Sequence, residues 1–96
     1  MRDMPPYDSA EFLDSDEAVA EYLAAAIEEG DAAMLRRALG VAARARGMTQ
    51  IARETGLSRE SLYRALSDDG NPSLDTALRV LNALNVRLTA CVAPPH

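Results

Sequence analysis

Ninety-six residues, 48% of them hydrophobic, allow one cored domain with a small appendage. The single cysteine, Cys91, excludes an intramolecular disulfide and a thiolate metal site, and no cofactor or metal is expected. A net charge of −5 argues against a polyanionic partner unless the basic residues gather in one stretch.

Residues 1–14 read as an N-terminal extension. Pro5 and Pro6 block an early helix, and the acidic run from Met1 to Asp16 lacks the apolar stretch of a signal peptide. Tyr7, Phe12 and Leu13 are its apolar anchors, able to fold over the helical body or to stay mobile until a partner arrives. No run reaches the roughly 18 apolar residues of a membrane helix, so a soluble, cytoplasmic chain is expected. The helical body spans 15–85. Asp14 or Ser15 starts it as an N-cap, with Asp16 and Glu17 in the first turn. Val19, Tyr22, Leu23, Ala26 and Ile27 then form one amphipathic face, closed by Gly30. Asp31 caps a second helix over 32–46, with Leu35, Ala38, Leu39, Ala42 and Ala45 inward and Arg36, Arg37, Arg44 and Arg46 outward. Gly40 costs that helix about 1 kcal/mol relative to Ala, which points to a close helix crossing there. Only four aromatics occur (Tyr7, Phe12, Tyr22, Tyr63), so the core must be Ala, Leu and Val on closely packed helices.

Residues 48–66 divide into two short helical runs around Gly56. Ile51, Ala52 and Thr55 share one face of the first, and Leu62, Ala65 and Leu66 share one face of the second. Gly56 can take the positive φ that ends the first run, Ser58 can cap the next, and Ala52 is small enough for a close crossing. That is the pattern of a helix-turn-helix, whose second helix enters the DNA major groove. From Met34 to Leu66, seven arginines face Glu54 and Glu60, a local +5 within the acidic chain. Phosphate contact follows the local field, so the island suits DNA, although an Arg-rich solvated face would look the same. With Leu62 and Ala65 inward, Arg59, Glu60, Ser61, Tyr63 and Arg64 point outward. Arg59 and Arg64 can pair with guanine or phosphate, and Glu60 can accept from cytosine N4. Tyr63 could stack on the sugar-phosphate backbone or pack in the core. Thr49 and Gln50 are candidate phosphate contacts, as is Arg53, for which a surface salt bridge is the alternative.

Ser67 to Pro72 is a turn cluster. Ser73 caps a last helix with Leu74, Ala77, Leu78, Leu81 and Leu84 as its stripe, and Asn85 can end it in the left-handed region. Residues 86–96 are the C-terminal strand and tail. Val86, Leu88, Ala90 and Val92 alternate with polar residues, and a lone strand needs a partner: the same strand of a second subunit, or another protein's edge. Residues 1–33 hold ten acids against Arg2, a local −9, which suits a basic protein partner or serves only as a solubilising face. Catalysis finds little support. His96 is the only histidine, Cys91 lies in the expected strand, and no Gly-rich phosphate loop occurs.

The run Ala43 to Ser67, followed by Gly70-Asn-Pro-Ser-Leu-Asp-Thr-Ala-Leu-Arg-Val-Leu-Asn-Ala-Leu84, resembles the addiction-module antidote proteins, HigA-like antitoxins with a Cro/C1-type helix-turn-helix. Tyr7 to Leu13, Ala24 to Asp31 and Ala38 to Gly40 fit the same family, so the resemblance covers about residues 7–88. It implies an all-α, λ-repressor-like bundle of about five helices. It also implies an antitoxin that binds operator DNA as a homodimer, represses its own operon and neutralises a small basic toxin of the RelE/ParE superfamily. One departure is that Gln50 stands two residues before Ala52, where the wider Cro/C1 pattern has four. Charge makes the acidic N-terminal third the expected toxin surface, with Tyr7, Phe12, Leu13, Asp14, Asp16 and Glu17 as its residues. The rival readings are a free-standing Cro/C1-type repressor and a helix-turn-helix used only for protein contacts.

Overall fold

The computed structural model describes residues 13–94, and the described chain is five helices. They are α1 (Asp16–Glu29), α2 (Ala32–Arg46), α3 (Met48–Thr55), α4 (Arg59–Ala65) and α5 (Leu74–Ala83). Polar side chains start four of them. Ser15 accepts from Ala18 N, Asp31 from Ala33 and Met34 N, Ser58 from Ser61 N, and Ser73 from Thr76 N. Each bond satisfies a first-turn donor that the helix itself leaves open.

α1 packs on α2, α3 packs on both α2 and α4, and α5 closes over α2 and α3. The shared core holds Val19, Leu23, Leu39, Ala42, Ile51, Leu62, Val80 and Leu84, without an aromatic ring in its fully buried set. Alanines let the helices approach closely. At Gly40 a Cβ would lie 3.2 Å from the Leu66 carbonyl oxygen and 3.7 Å from the Leu66 Cβ, so α2 meets the end of α4 where the glycine leaves room. Gly56, at φ 79°, turns the chain out of α3 in the left-handed conformation, and its N–H closes on the Ala52 carbonyl.

Two expectations need correction. Residues 86–94 form no strand. A strand is held by hydrogen bonds to a neighbouring edge, and the helices of this chain offer none. The buried face of α5 is also rotated from the expected stripe. Val80, Leu81 and Leu84 are buried, while Leu74 and Leu78 stay 74% and 44% exposed. Packing against both α3 and α2 selects the face carrying Val80. No helix of the described residues is long and apolar enough to cross a membrane.

Candidate nucleic-acid interface

α4 is fixed by one side chain. Leu62 is 0% exposed, and burying it turns the opposite side of this short helix outward. Arg59, Glu60, Tyr63 and Arg64, at i, i+1, i+4 and i+5, stand together on that exposed side. Tyr63 is 43% exposed and belongs to the surface rather than the core, with the Arg59 guanidinium 5.8 Å from the ring centroid. Such a cation–π pair holds both side chains across one helical turn. Ser61 is half-buried, and its hydroxyl oxygen accepts from Ser58 at 2.9 Å, so it faces the cap more than the open surface.

On α3, Thr49, Gln50 and Arg53 are exposed. The Gln50 amide donates to Glu54 at 3.2 Å. Arg53 makes no ion pair among the described residues. A groove of about 410 Å³ runs beside α4, lined in part by Ser61, Arg64, Asn71, Ser73 and Thr76.

The arginine-rich stretch is less uniform than its local charge suggests. Arg36 donates to the Asp68 carbonyl at 2.8 Å, and Arg37 lies 4.0 Å from the Asp68 carboxylate. Arg36 therefore holds the loop that follows α4, and Arg37 lies beside it in an exposed, loose pair. Arg46 reaches the Asp16 carboxylate at 2.8 Å. Of the seven arginines between Met34 and Leu66, Arg44, Arg53, Arg59 and Arg64 have no such partner among the described residues.

Sequence reasoning missed Arg79. From α5 its NH1 donates to the Thr55 carbonyl at 3.0 Å, at the open C-terminal end of α3, and its Nε lies 3.0 Å from Asp75. Thr55 is itself buried, its hydroxyl donating to the Ile51 carbonyl at 2.8 Å. Arg79 thus ties α5 to the turn that sets the angle between α3 and α4. The Asp75–Arg79 spacing of i, i+4 is visible in the sequence; the Thr55 link is not.

The residues expected to meet a protein partner belong to the N-terminal extension and the first turn of α1. Tyr7 and Phe12 lie outside the described residues. Leu13 is half-buried against the core, and Asp14 and Glu17 are exposed. Asp16 is engaged within the fold. Its two carboxylate oxygens accept from Asn85 and Arg46, each at 2.8 Å, joining the start of α1 to the ends of α2 and α5. The Asn85 hydrogen bond holds the Asp16 carboxyl below the ordinary 3.8, helped by the Arg46 hydrogen bond and charge and opposed by partial desolvation.

Comparison with known proteins adds a family. Residues 3–92 match the family described as "Probable addiction module antidote protein". A Haemophilus influenzae (strain Rd) protein described as "Uncharacterized protein" is 47% identical over 81 residues, covering 84% of each chain. No solved structure matches.

Proposed function

We propose that the chain, which belongs to the family of probable addiction module antidote proteins, is the antitoxin of a type II toxin–antitoxin module. In this reading α3 and α4 are a helix-turn-helix in a λ-repressor-like bundle. A homodimer places α4 of each copy in successive major grooves of its own operator and represses the operon. A second surface binds and silences a small basic toxin of the RelE/ParE superfamily.

The observation that carries the DNA half is the outer side of α4. A buried Leu62 presents Arg59, Glu60 and Arg64 together, with no intramolecular ion pair to occupy either arginine among the described residues. Two forked cations beside one carboxylate can read guanine edges and a cytosine amine while holding phosphates. Thr49 and Arg53 stand on α3 where a helix-turn-helix crosses the backbone. Antidote-family membership supports the toxin half, and the acidic first third suits a basic partner.

The test is binding of the protein to its own promoter across a salt series. Specific, salt-dependent binding is expected, and Arg59→Ala and Arg64→Ala should each weaken it by about 1–3 kcal/mol. Salt-independent binding, or full affinity in the double variant, would remove α4 from the interface. Co-expression with the protein encoded beside this gene tests the other half: growth rescue and co-elution are expected.

A further inference from the structure

α1 and α2 leave a shallow groove of about 250 Å³ on the acidic side of the molecule. Tyr22, Ala25, Ala26, Met34 and Ala38 supply most of its lining. Along α1, Tyr22, Ala25 and Glu29 fall at i, i+3 and i+7, so one outward face of the helix runs into the groove. Glu21 and Glu28, seven residues apart, follow the neighbouring line of the same helix. Both are exposed, as is Glu29, and none of the three makes an ion pair among the described residues. The one cation at the rim, Arg37, is directed to Asp68 at 4.0 Å. The result is a mostly apolar slot with Glu29 in its lining and Glu21 and Glu28 exposed on the same helix.

We infer that this α1–α2 groove is where the antitoxin receives its toxin, through a basic amphipathic helix laid along α1. The inference rests on the antitoxin reading and moves its protein surface. Asp16 is held by Arg46 and Asn85, and Leu13 packs on the core, so of the described N-terminal residues Asp14 and Glu17 alone keep free carboxylates there. Glu21, Glu28 and Glu29 remain available. The alanines that line it let a second helix come close, and the helix-in-groove mode uses apolar anchors spaced i, i+3 or i+4, which Tyr22 and Met34 can flank. Lysines or arginines on the partner helix would then pair with the three glutamates, while an acidic segment would meet uncompensated like charge.

The test uses the full chain and the protein encoded beside its gene, with titration of the purified pair and operator binding as the fold control. Ala25→Arg puts a cation into the slot at an exposed helical position that tolerates it. It should weaken toxin binding by about a hundredfold or more, and so should Glu28→Arg with Glu29→Arg. Ala25→Glu, similarly bulky but of the attractive sign, should lose less. Operator affinity and melting temperature should stay near those of the parent in all three. Toxin binding unchanged in Ala25→Arg, or Ala25→Glu losing as much as Ala25→Arg, overturns the groove while leaving the antitoxin reading intact. A parent chain that binds no such protein overturns both. If Ala25→Arg splits a homodimer in the absence of toxin, the groove is a self-interface and the inference fails.

Discussion

Replacing Arg79 by methionine keeps the aliphatic stem and removes the guanidinium that joins α5 to the end of α3. Two interactions are lost. The hydrogen bond to the Thr55 carbonyl, 3.0 Å long and partly buried, is charge-assisted; such bonds contribute about 1.5–3 kcal/mol, and the half-exposed side chain places this one at the low end. The pairing with Asp75, at i, i+4 and 3.0 Å, is solvent-screened and adds about 0.3–0.5 kcal/mol. Arg79→Met should therefore cost about 2 kcal/mol, which for a domain this small lowers the melting temperature by roughly 8–15 °C. Asp75→Asn removes only the weaker contact and should cost a few tenths of a kcal/mol. Thermal and urea unfolding of the two variants, measured beside promoter binding, separate the contributions. Arg79→Met should also lose discrimination between operator and random DNA, because the α3–α4 angle is no longer held, with the salt slope unchanged because no phosphate contact has gone. Equal losses in the two variants, or a loss below about 0.5 kcal/mol for Arg79→Met, would refute the clamp. A reduced salt slope would make Arg79 a phosphate contact instead.

Four further outcomes are expected. A Cβ on Gly70 would collide with the carbonyls of Arg64 and Ala65, so Gly70→Ala should destabilise by about 1–3 kcal/mol by pushing on the end of α4. Gly40→Ala should be close to neutral, because the 3.2 Å approach to the Leu66 oxygen offsets about 1 kcal/mol of gained helix propensity; denaturant midpoints of the pair compare the two. Leu62→Ala should cost about 2–5 kcal/mol and abolish operator binding together with the seating of α4, checked by calorimetry and gel shift. The depressed Asp16 pKa means that its stabilisation is present above the ordinary 3.8 and is lost as pH falls through the lower folded value. The melting-temperature gap between parent and Asp16→Asn should accordingly be widest near neutral pH and close in acid; a gap that widens on acidification would contradict the Asp16–Asn85–Arg46 tie.

Helix boundaries were legible because their signals are local. Ser15, Asp31, Ser58 and Ser73 each sit one residue before a helix and bond its first turn, and Gly56 and Asn85 each take a positive φ just past a helix end. The close crossing at Gly40 was legible for the same reason: a residue that weakens a helix needs a compensating contact, and the end of α4 supplies it. The face of α5 was not. Leu74, Leu78 and Leu81 make as good a stripe as Ala77, Val80, Leu81 and Leu84, and only the positions of α2 and α3 decide between them. The alternation of residues 86–92 is a real period, but a strand also needs an edge, and sequence alone does not say where that edge comes from.

Charge read along the chain locates regions, whereas folding decides which charges remain free within them. The arginine-rich stretch sums to +5, yet Arg36, Arg37 and Arg46 point to Asp68 and Asp16, leaving the outer side of α4 to Arg59 and Arg64. The acidic third sums to −9, yet Asp16 and Asp31 are engaged in a tie and a cap. Glu29 lines an apolar groove, and Glu21 and Glu28 stay exposed on the same helix. The ties that remove Arg46 and Asp16 from the two surfaces are the same contact, which joins α1 to the end of α2 immediately before α3 begins. Breaking it with Arg46→Met would free one Asp16 oxygen, the other staying with Asn85, while loosening the support of α3. Affinity for toxin should then hold or rise slightly as operator affinity falls, and a fall in both would place Arg46 in the toxin surface itself.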